Sequence, residues 1–312
     1  MPRSLAARCF AGRRIVGFAM LIMLGLADAR AARPAWDESI VTIEVARKQY
    51  DYYQPWSRRT HRTQKTGVIL GNHQILTTAD ELFDHTLIRL QKHGRGQWWI
   101  GEIAWVDYHA NLALLTNSDA EFWRGLEPVA FADATPSRPL QIMRWREGKL
   151  ESRAAEFTQF TVREGQLSPL SSVALELSSE IQGVGWGEPV ISNGKVAGLL
   201  VSQDGRNCVA TPSGFFEPIL NSLRHGAYRG LGYFHFYWQP AENPASLARL
   251  KLPGAPRGVI VTDVPHRQDG LPNVLQPEDV LLKIGGFDLD IQGDYQDPDF
   301  GSLMLENLAV RG

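Results

Sequence analysis

The stretch that decides the fold is Ile181-Gln-Gly-Val-Gly-Trp-Gly-Glu-Pro-Val-Ile191. Three glycines within five residues indicate a tight loop, because glycine tolerates backbone conformations that other residues avoid. The segment 172–177, Ser-Val-Ala-Leu-Glu-Leu, is predicted to be a strand that leads into the loop. The segment 192–201, Ser-Asn-Gly-Lys-Val-Ala-Gly-Leu-Leu-Val, is typical of a turn followed by a buried strand. The sequence therefore predicts a constrained loop between two strands, with Trp186 near its centre.

The composition is that of an ordinary soluble globular protein. The chain has 312 residues, of which 44% are hydrophobic, and a formal net charge of -2. This length suffices for two domains, and a near-neutral charge gives no general electrostatic reason to bind nucleic acid. The sequence carries no phosphate-binding loop, dinucleotide fingerprint or zinc signature, and its histidines are scattered. We therefore expect no cofactor, no metal and no nucleic-acid partner.

The N-terminal 31 residues have the layout of a secretory signal peptide. Arginines 3, 8, 13 and 14 precede an apolar run over 15–26, and small residues at 27, 29 and 31 offer cleavage sites. A membrane anchor is the alternative, but the run is shorter than the roughly 20 residues that span a bilayer. We expect export to the periplasm or the extracellular space, with no membrane span after removal. Cys208 would then be the single cysteine, which excludes an internal disulfide.

Short alternating apolar runs indicate a mainly β protein. A helix is predicted over 215–224, where apolar residues recur at helical spacing, and another over 302–308. The predicted strands lie at 39–45, 67–70, 74–77, 87–90, 98–106, 112–115, 140–143, 155–162, 173–177, 196–201 and 258–264, and a strand with a Gly-Gly hairpin lies within 275–286.

An ordered set of segments resembles the HtrA/Deg family, in particular its plant-type members. They are Leu76-Thr-Thr-Ala-Asp80, Asp84-His-Thr86, Lys92-His-Gly94, Leu112-Ala-Leu-Leu-Thr116, Glu121-Phe-Trp-Arg-Gly125, Pro128-Val-Ala-Phe131, Thr211-Pro212, His225-Gly-Ala-Tyr228, Glu242-Asn-Pro244 and 275–286. The resemblance implies a trypsin-like double antiparallel β-barrel over 35–225, followed by an α+β PDZ-like domain over 226–312. The PDZ-like domain is expected to be incomplete, because its closing strand is missing after the last predicted helix.

The resemblance implies that the three catalytic positions of the family are replaced together. Asp80 matches the histidine base, Asn111 matches the aspartate, and Trp186 matches the serine nucleophile. A carboxylate is a much weaker base than an imidazole at neutral pH, and an indole cannot attack a carbonyl. We therefore predict a non-catalytic, peptide-binding or regulatory relative. The alternative is an active serine-type endopeptidase in protein quality control that uses an unconventional site.

The oxyanion loop is also expected to be altered. By resemblance, Val184, Gly185 and Trp186 occupy the loop whose N–H groups would bind an oxyanion, and Val184 replaces a glycine. Glu188 adds a negative charge that opposes such binding. By resemblance, His85 matches a non-catalytic histidine of the family, and the serines at 178, 179 and 192 lack the Gly-x-Ser-Gly setting of a nucleophile, so none of them restores a triad.

The PDZ-like domain is expected to bind peptides or the C-termini of unfolded proteins by strand addition. Two placements of its carboxylate-binding loop remain open. One uses Gly230, Leu231, Gly232 and Tyr233, and the other uses Phe234, His235, Phe236 and Tyr237, in which His235 replaces a glycine.

The aromatic segment Tyr50-Asp-Tyr-Tyr-Gln-Pro-Trp56 suggests a protein interface. Tyrosine and tryptophan are enriched among residues that dominate binding energy. By resemblance, the segment would support a homotrimer, or a mixed oligomer with an active Deg protease. The alternative is packing of this segment on its own barrel.

Overall fold

The computed structural model describes residues 36–252, 254–267 and 270–310. The predicted signal peptide lies outside these residues. The described chain is mostly β-strand, which confirms the mainly β, trypsin-like fold class.

The first part of the chain forms a seven-stranded antiparallel sheet with the order β5-β4-β1-β2-β3-β7-β6. Its two end strands are consecutive in the chain and are separated only by Gly101, so the sheet curls until its edges meet. A Cβ on Gly101 would lie 2.9 Å from the Ile88 side chain, which explains the glycine at this corner. The predicted strand over 98–106 is therefore two strands. The elements are α1(Trp36–Ser39), β1(Ile40–Tyr50), β2(Arg58–Leu70), β3(Gln74–Thr77), β4(His85–Lys92), β5(Trp98–Ile100), β6(Glu102–Asp107), β7(Leu112–Thr116) and α2(Ala120–Trp123).

The second part closes into a six-stranded barrel with the order β10-β13-β12-β11-β8-β9. Its interior contains fully buried aliphatic side chains such as Ile142, Leu175 and Leu200. Cys208 on β13 is a buried free thiol, and β13 itself was not predicted from the sequence. The elements are β8(Leu140–Arg146), β9(Lys149–Gly165), β10(Ser168–Ser179), β11(Pro189–Ser192), β12(Lys195–Asp204), β13(Asn207–Pro212) and α3(Ser213–Arg224).

The C-terminal part is a smaller α+β unit built from short strands. Its main sheet has the order β14-β15-β16, so β14 is an edge strand of the described sheet. Gly285 and Gly286 both take positive φ at the predicted hairpin between β17 and β18. The elements are β14(Tyr237–Pro240), α4(Pro244–Arg249), β15(Val259–Asp263), β16(Val280–Leu281), β17(Lys283–Ile284), β18(Phe287–Asp288), β19(Asp294–Asp297), β20(Gly301–Met304) and α5(Glu306–Val310).

The predicted helix over 302–308 is wrong in its first half. Residues Gly301–Met304 form β20, which pairs with β19, and the helix begins only at Glu306. Leu303 lies opposite Tyr295, and both side chains are buried. Pairing with a distant strand therefore outweighs the local leucine spacing that favoured a helix.

A buried hydrogen-bond network attaches the C-terminal unit to the second barrel. The Asn307 side-chain oxygen accepts from the Val173 N–H on β10 at 3.0 Å, and its amide nitrogen donates to the Tyr295 hydroxyl at 2.8 Å. Phe160 on β9 packs edge-on against Phe300 of the C-terminal unit. One continuous apolar cluster includes both barrel and C-terminal residues. The second barrel and the C-terminal unit therefore share one apolar core.

Candidate functional site

The loop over 181–189 is held in a conformation that depends on its glycines. Gly185 and Gly187 have φ angles of 122° and 93°, in the region that favours glycine. A Cβ on Gly187 would lie 2.6 Å from the main-chain oxygen of Thr66 on β2. The Thr66 N–H in turn donates to the Trp186 carbonyl at 3.0 Å. The loop of the second barrel is thus fastened directly to a strand of the first sheet.

The three predicted triad-equivalent positions converge at this contact between the two β-structures. Asn111, at φ 50°, accepts from the Asp80 N–H through its side-chain oxygen at 2.9 Å. Lys65 on β2 connects Asp80 with Trp186. Its ammonium nitrogen lies 2.9 Å from Asp80 Oδ2 and 5.8 Å from the centre of the Trp186 ring. The structure therefore places Asp80 in contact with Asn111 and links it through Lys65 to Trp186.

Lys65 and Asp80 form a buried ion pair. Their side chains are 0% and 5% exposed, and the Lys65 ammonium also donates to Thr78 Oγ1 at 2.8 Å. Burial lowers the pKa of Lys65 from its ordinary value, and the Asp80 carboxylate opposes that shift. Sequence reasoning missed Lys65. The available signal was a lysine followed by a buried apolar stretch, where charged side chains are rare unless paired.

The loop N–H groups expected to bind an oxyanion already have acceptors within the chain. Glu188 Oε2 accepts from the N–H groups of Gly185 and Trp186 at 2.9 and 2.8 Å. Gln203 Oε1 accepts from the Val184 N–H at 3.1 Å. Burial raises the pKa of Glu188, although the two main-chain donors counteract this effect. An external oxyanion would have to displace both side chains, so the arrangement opposes acyl-transfer chemistry.

Arg144 fixes the other end of the loop. Its guanidinium donates to the carbonyls of Gly183 and Gln182 at 2.5 and 2.6 Å, and to Glu151 at 3.0 Å. A cavity of about 430 Å³ opens beside this loop. Its walls include the side chains of Gln64, Lys65, Trp145, Arg146 and Trp186.

One histidine lies next to a serine at another position. His109 Nδ1 is 2.8 Å from Ser168 Oγ, at the start of β10. The hydroxyl also accepts from the Leu170 N–H at 3.1 Å, and Ser168 is 6% exposed. Asp107 is bound to the main-chain N–H groups of His109 and Ala110 and to the Tyr228 hydroxyl. The carboxylate therefore contacts the backbone of His109 rather than orienting its ring.

The two predicted placements of the PDZ carboxylate loop lead to different cavities. Gly232 and the segment 233–237 line a cavity of about 320 Å³ between the start of β10 and α5. Gly230 and Leu231 line a separate cavity of about 450 Å³ beside α3. The structure thus brings the second placement, together with Gly232 and Tyr233, to one pocket.

The β1–β2 hairpin exposes the predicted aromatic segment. Tyr52, Tyr53 and Trp56 are 93%, 96% and 81% exposed, so the segment does not pack on its own barrel. Tyr50 is 58% exposed and lies under the Arg58 guanidinium. Projecting aromatic and arginine side chains are typical of interface residues.

The described residues contain neither a metal cluster nor a membrane helix. No group of three or more histidine, cysteine, aspartate or glutamate side chains in these ranges could hold a metal ion. Within the same ranges, no helix is both long and apolar enough to cross a bilayer.

Comparison with known proteins shows that the chain is similar to Do-like proteases of Arabidopsis thaliana. No family model matches. "Putative protease Do-like 11, mitochondrial" of Arabidopsis thaliana is 22% identical over 254 residues, covering 80% of this chain and 44% of the relative. "Putative protease Do-like 13" of Arabidopsis thaliana is 20% identical over 287 residues, covering 87% of this chain and 57% of the relative. The chain thus spans about half the length of the curated relatives it matches.

A solved structure shares the fold. The HtrA-type protease AlgW with decapeptide superposes with a TM-score of 0.62 at 13% identity, covering 82% of this chain and 85% of that structure. The fold is therefore that of a trypsin-like protease. The sequence relatives are Do-like proteases, which agrees with the resemblance to the HtrA/Deg family that the sequence motifs carry.

Proposed function

We propose that this chain is an exported, non-catalytic member of its family that binds peptides or unfolded chains. The observation that carries the proposal is the buried Lys65–Asp80 pair packed against Trp186 at the predicted triad positions. An ion-paired carboxylate is a weak proton acceptor, and an indole offers no nucleophile. The same site lacks free oxyanion donors, because Glu188 and Gln203 occupy them. Base, nucleophile and oxyanion binding are thus all replaced by contacts within the chain.

Peptide binding is the activity that this scaffold retains in the proposal. The related AlgW structure was solved with a decapeptide. In the present chain, β14 offers an edge strand and Gly232 to Tyr237 line a pocket beside it. Main-chain hydrogen bonds of an edge strand supply affinity for extended peptides without any catalytic group.

The proposal is tested by measuring cleavage and binding on the same protein. Purified chain without residues 1–31 is incubated with fluorescent unfolded casein, and its cleavage rate and anisotropy are recorded. We expect binding without cleavage above the rate of a no-enzyme control. Cleavage that survives a change of Trp186 to Ala and is removed by a serine-directed phosphonate would end the non-catalytic proposal.

An active endopeptidase with an unconventional site is the second candidate, and the His109–Ser168 contact is the observation that favours it. His109 Nδ1 could accept the Ser168 proton at 2.8 Å. The Ser168→Ala variant tests it directly, with Ser222→Ala as the matched control on α3. Casein cleavage that is lost in S168A and kept in S222A would support this candidate. An S168A cleavage rate equal to that of the unchanged protein would exclude it.

Assembly is the third element of the proposal. The exposed hairpin aromatics support a homotrimer, or a mixed oligomer with an active Deg protease, since large apolar side chains at a tip favour burial in an interface. Light scattering on the purified chain is expected to give three times the monomer mass. The triple change of Tyr50, Tyr52 and Trp56 to Ser should reduce the measured mass to that of one monomer. A monomer before any change would contradict the homotrimer.

Export is proposed from the N-terminal sequence alone. A fusion of residues 1–40 to a reporter enzyme that is active only outside the cytoplasm would test it. Reporter activity that disappears when the apolar run 15–26 is interrupted by charged residues is the expected result.

A further inference from the structure

The pocket beside β14 combines aromatic walls with a carboxylate. Its described lining contains five phenylalanine, tyrosine or tryptophan side chains, one histidine (His235) and one glutamate, and neither lysine nor arginine. We call it the aromatic pocket, and the residues that define it are Tyr233, Phe234, Phe236, Tyr237, Trp238 and Glu306. The electron-rich faces of aromatic rings attract cations and offer nothing to an anion.

Glu306 retains an unused acceptor. Its Oε1 accepts from the Trp238 indole N–H at 2.9 Å, which fixes the carboxylate in the pocket wall. Its Oε2 is buried and has no hydrogen-bond partner among the described residues. A buried carboxylate oxygen without a donor is costly, and a positive charge held nearby would offset part of that cost.

Trp238 is held rigidly, so the carboxylate has a defined position. The Trp238 ring packs against Gly293, where a Cβ would lie 2.6 Å from the ring edge. Gly293 has φ 88°, so a glycine stands at the position where the indole needs space. A preformed carboxylate with fixed geometry loses little entropy when it binds a ligand.

The edge of β14 defines how a peptide would reach the pocket. Tyr237 and Trp238 belong both to β14 and to the pocket lining. A peptide that adds to the free edge of β14 sends alternate side chains to the same face of the sheet. A peptide added there would lie next to two residues of the aromatic pocket.

We propose that the aromatic pocket binds the lysine or arginine side chain of an extended peptide segment, rather than a terminal carboxylate. The inference rests on the proposed peptide-binding function and names its ligand class. A terminal carboxylate in this pocket would face the Glu306 carboxylate, and the repulsion would oppose binding. A cation in the pocket is attracted by the Glu306 charge and contacts the rings at the same time.

The test uses three labelled decapeptides of alternating valine and serine with the complete mature chain. The first has a central lysine and blocked termini, the second has norleucine instead of lysine, and the third has norleucine and a free C-terminal carboxylate. Binding is measured by fluorescence anisotropy. We expect the lysine peptide to bind about tenfold more tightly than the norleucine peptide, the size of one charge-assisted contact.

Glu306→Gln is the diagnostic variant, because glutamine keeps an oxygen for the Trp238 indole but removes the charge. The lysine advantage should disappear in E306Q and persist in D288N, whose carboxylate lies on β18 outside the pocket lining. If E306Q fails to fold, the lysine and norleucine comparison on the unchanged protein still decides the question.

The remaining outcomes separate this inference from the proposed function. Tightest binding by the free-carboxylate peptide would overturn the inference in favour of terminal capture. Equal binding of all three peptides, unaffected by E306Q, would overturn it while leaving peptide binding intact. Absence of binding to every peptide and to unfolded casein would overturn both.

Discussion

The 181–189 loop and the aromatic pocket differ in whether their polar groups have hydrogen-bond partners. In the 181–189 loop, the N–H groups of Val184, Gly185 and Trp186 all donate to side chains of the same chain. In the aromatic pocket, Glu306 keeps a buried oxygen without a partner among the described residues. A site whose donors are satisfied internally has little to offer a ligand, whereas an unsatisfied acceptor favours one.

This difference teaches where to look for function in a protease-like fold. The predicted triad positions hold an ion pair and an indole, and a glutamate accepts from the loop N–H groups, so the polar groups there are mainly used in contacts within the chain. The C-terminal unit retains an edge strand, aromatic surfaces and a charge. Fold and function therefore need separate arguments.

The largest expected effect is the loss of stability when the buried Lys65–Asp80 ion pair is broken. Changing Lys65 to Met leaves the Asp80 carboxylate buried without its partner, which should reduce the free energy of unfolding by about 3–5 kcal/mol. Urea denaturation of the variant gives the value directly.

A second change separates the ion pair from simple packing. The double variant Lys65→Met with Asp80→Leu should recover most of the lost stability, because no charge remains buried. The exposed Lys149 changed to Met is the matched control, with an expected effect within about 0.5 kcal/mol. A single-variant loss below about 1 kcal/mol would show that the pair contributes little to closing the site.

The next largest effect is the loss of stability when the contacts between the C-terminal unit and the second barrel are removed. Asn307→Ala removes the acceptor of the buried Val173 N–H and the donor to Tyr295, so we expect a loss of about 1–3 kcal/mol. Gln296→Ala on the same unit is exposed and should be nearly neutral. Equal melting temperatures for the two variants would mean that the Asn307 contacts do not stabilise the native chain.

A smaller, pH-dependent effect is expected at Glu188. Its pKa is raised in the folded protein above the ordinary value near 4.5. The protonated form is therefore the one favoured by folding, and this contribution is present below about pH 4.5 and lost as the pH rises through the folded pKa. Relative to the unchanged protein, Glu188→Gln should gain stability over that interval, by roughly 1.4 kcal/mol for each unit of the shift.

Urea denaturation of both proteins from pH 4 to pH 8 measures this difference. Glu164→Gln serves as the control, because Glu164 is an exposed carboxylate on the same barrel. A stability difference that stays constant, or that shrinks with rising pH, would contradict the assigned direction of the Glu188 shift.

The smallest expected effect is on proteolysis, which we expect Trp186→Ser not to increase. Trp186→Ser supplies a hydroxyl at the predicted nucleophile position, but Asp80 remains ion-paired and Glu188 still occupies the N–H groups. Casein cleavage should therefore stay at the no-enzyme rate, with trypsin as the positive control. Measurable turnover by this single variant would show that the site is less closed than its contacts indicate.

Local patterns in the sequence predicted much of the fold. Apolar alternation located most strands of both β-structures, and the end of α3 lies where helical spacing stops, at Arg224. The helix prediction over 302–308 was wrong in its first half because Leu303 pairs with Tyr295 across β19 and β20. Leucine spacing does not encode this contact. Strand β13 was missed because its pattern is short and mixed.

The candidate site was predicted only in part. The family motif pointed to Asp80, Asn111 and Trp186, and the structure brings them together. Lys65 and Gln203 were missed, because each acts through a partner from 15 to 19 residues away in the chain. Such pairing depends on strand register and cannot be read from local spacing.

The Asn307 network also has a practical consequence for experiments on this molecule. A fragment ending at His225 would strip the acceptor from the Val173 N–H and uncover Phe160 and its neighbours, so it is expected to aggregate. Because core is shared across the 225/226 boundary, heating should unfold the described chain in a single cooperative step. Ligand bound in the aromatic pocket would then raise the melting temperature of the whole molecule, which offers a label-free screen for its natural partner.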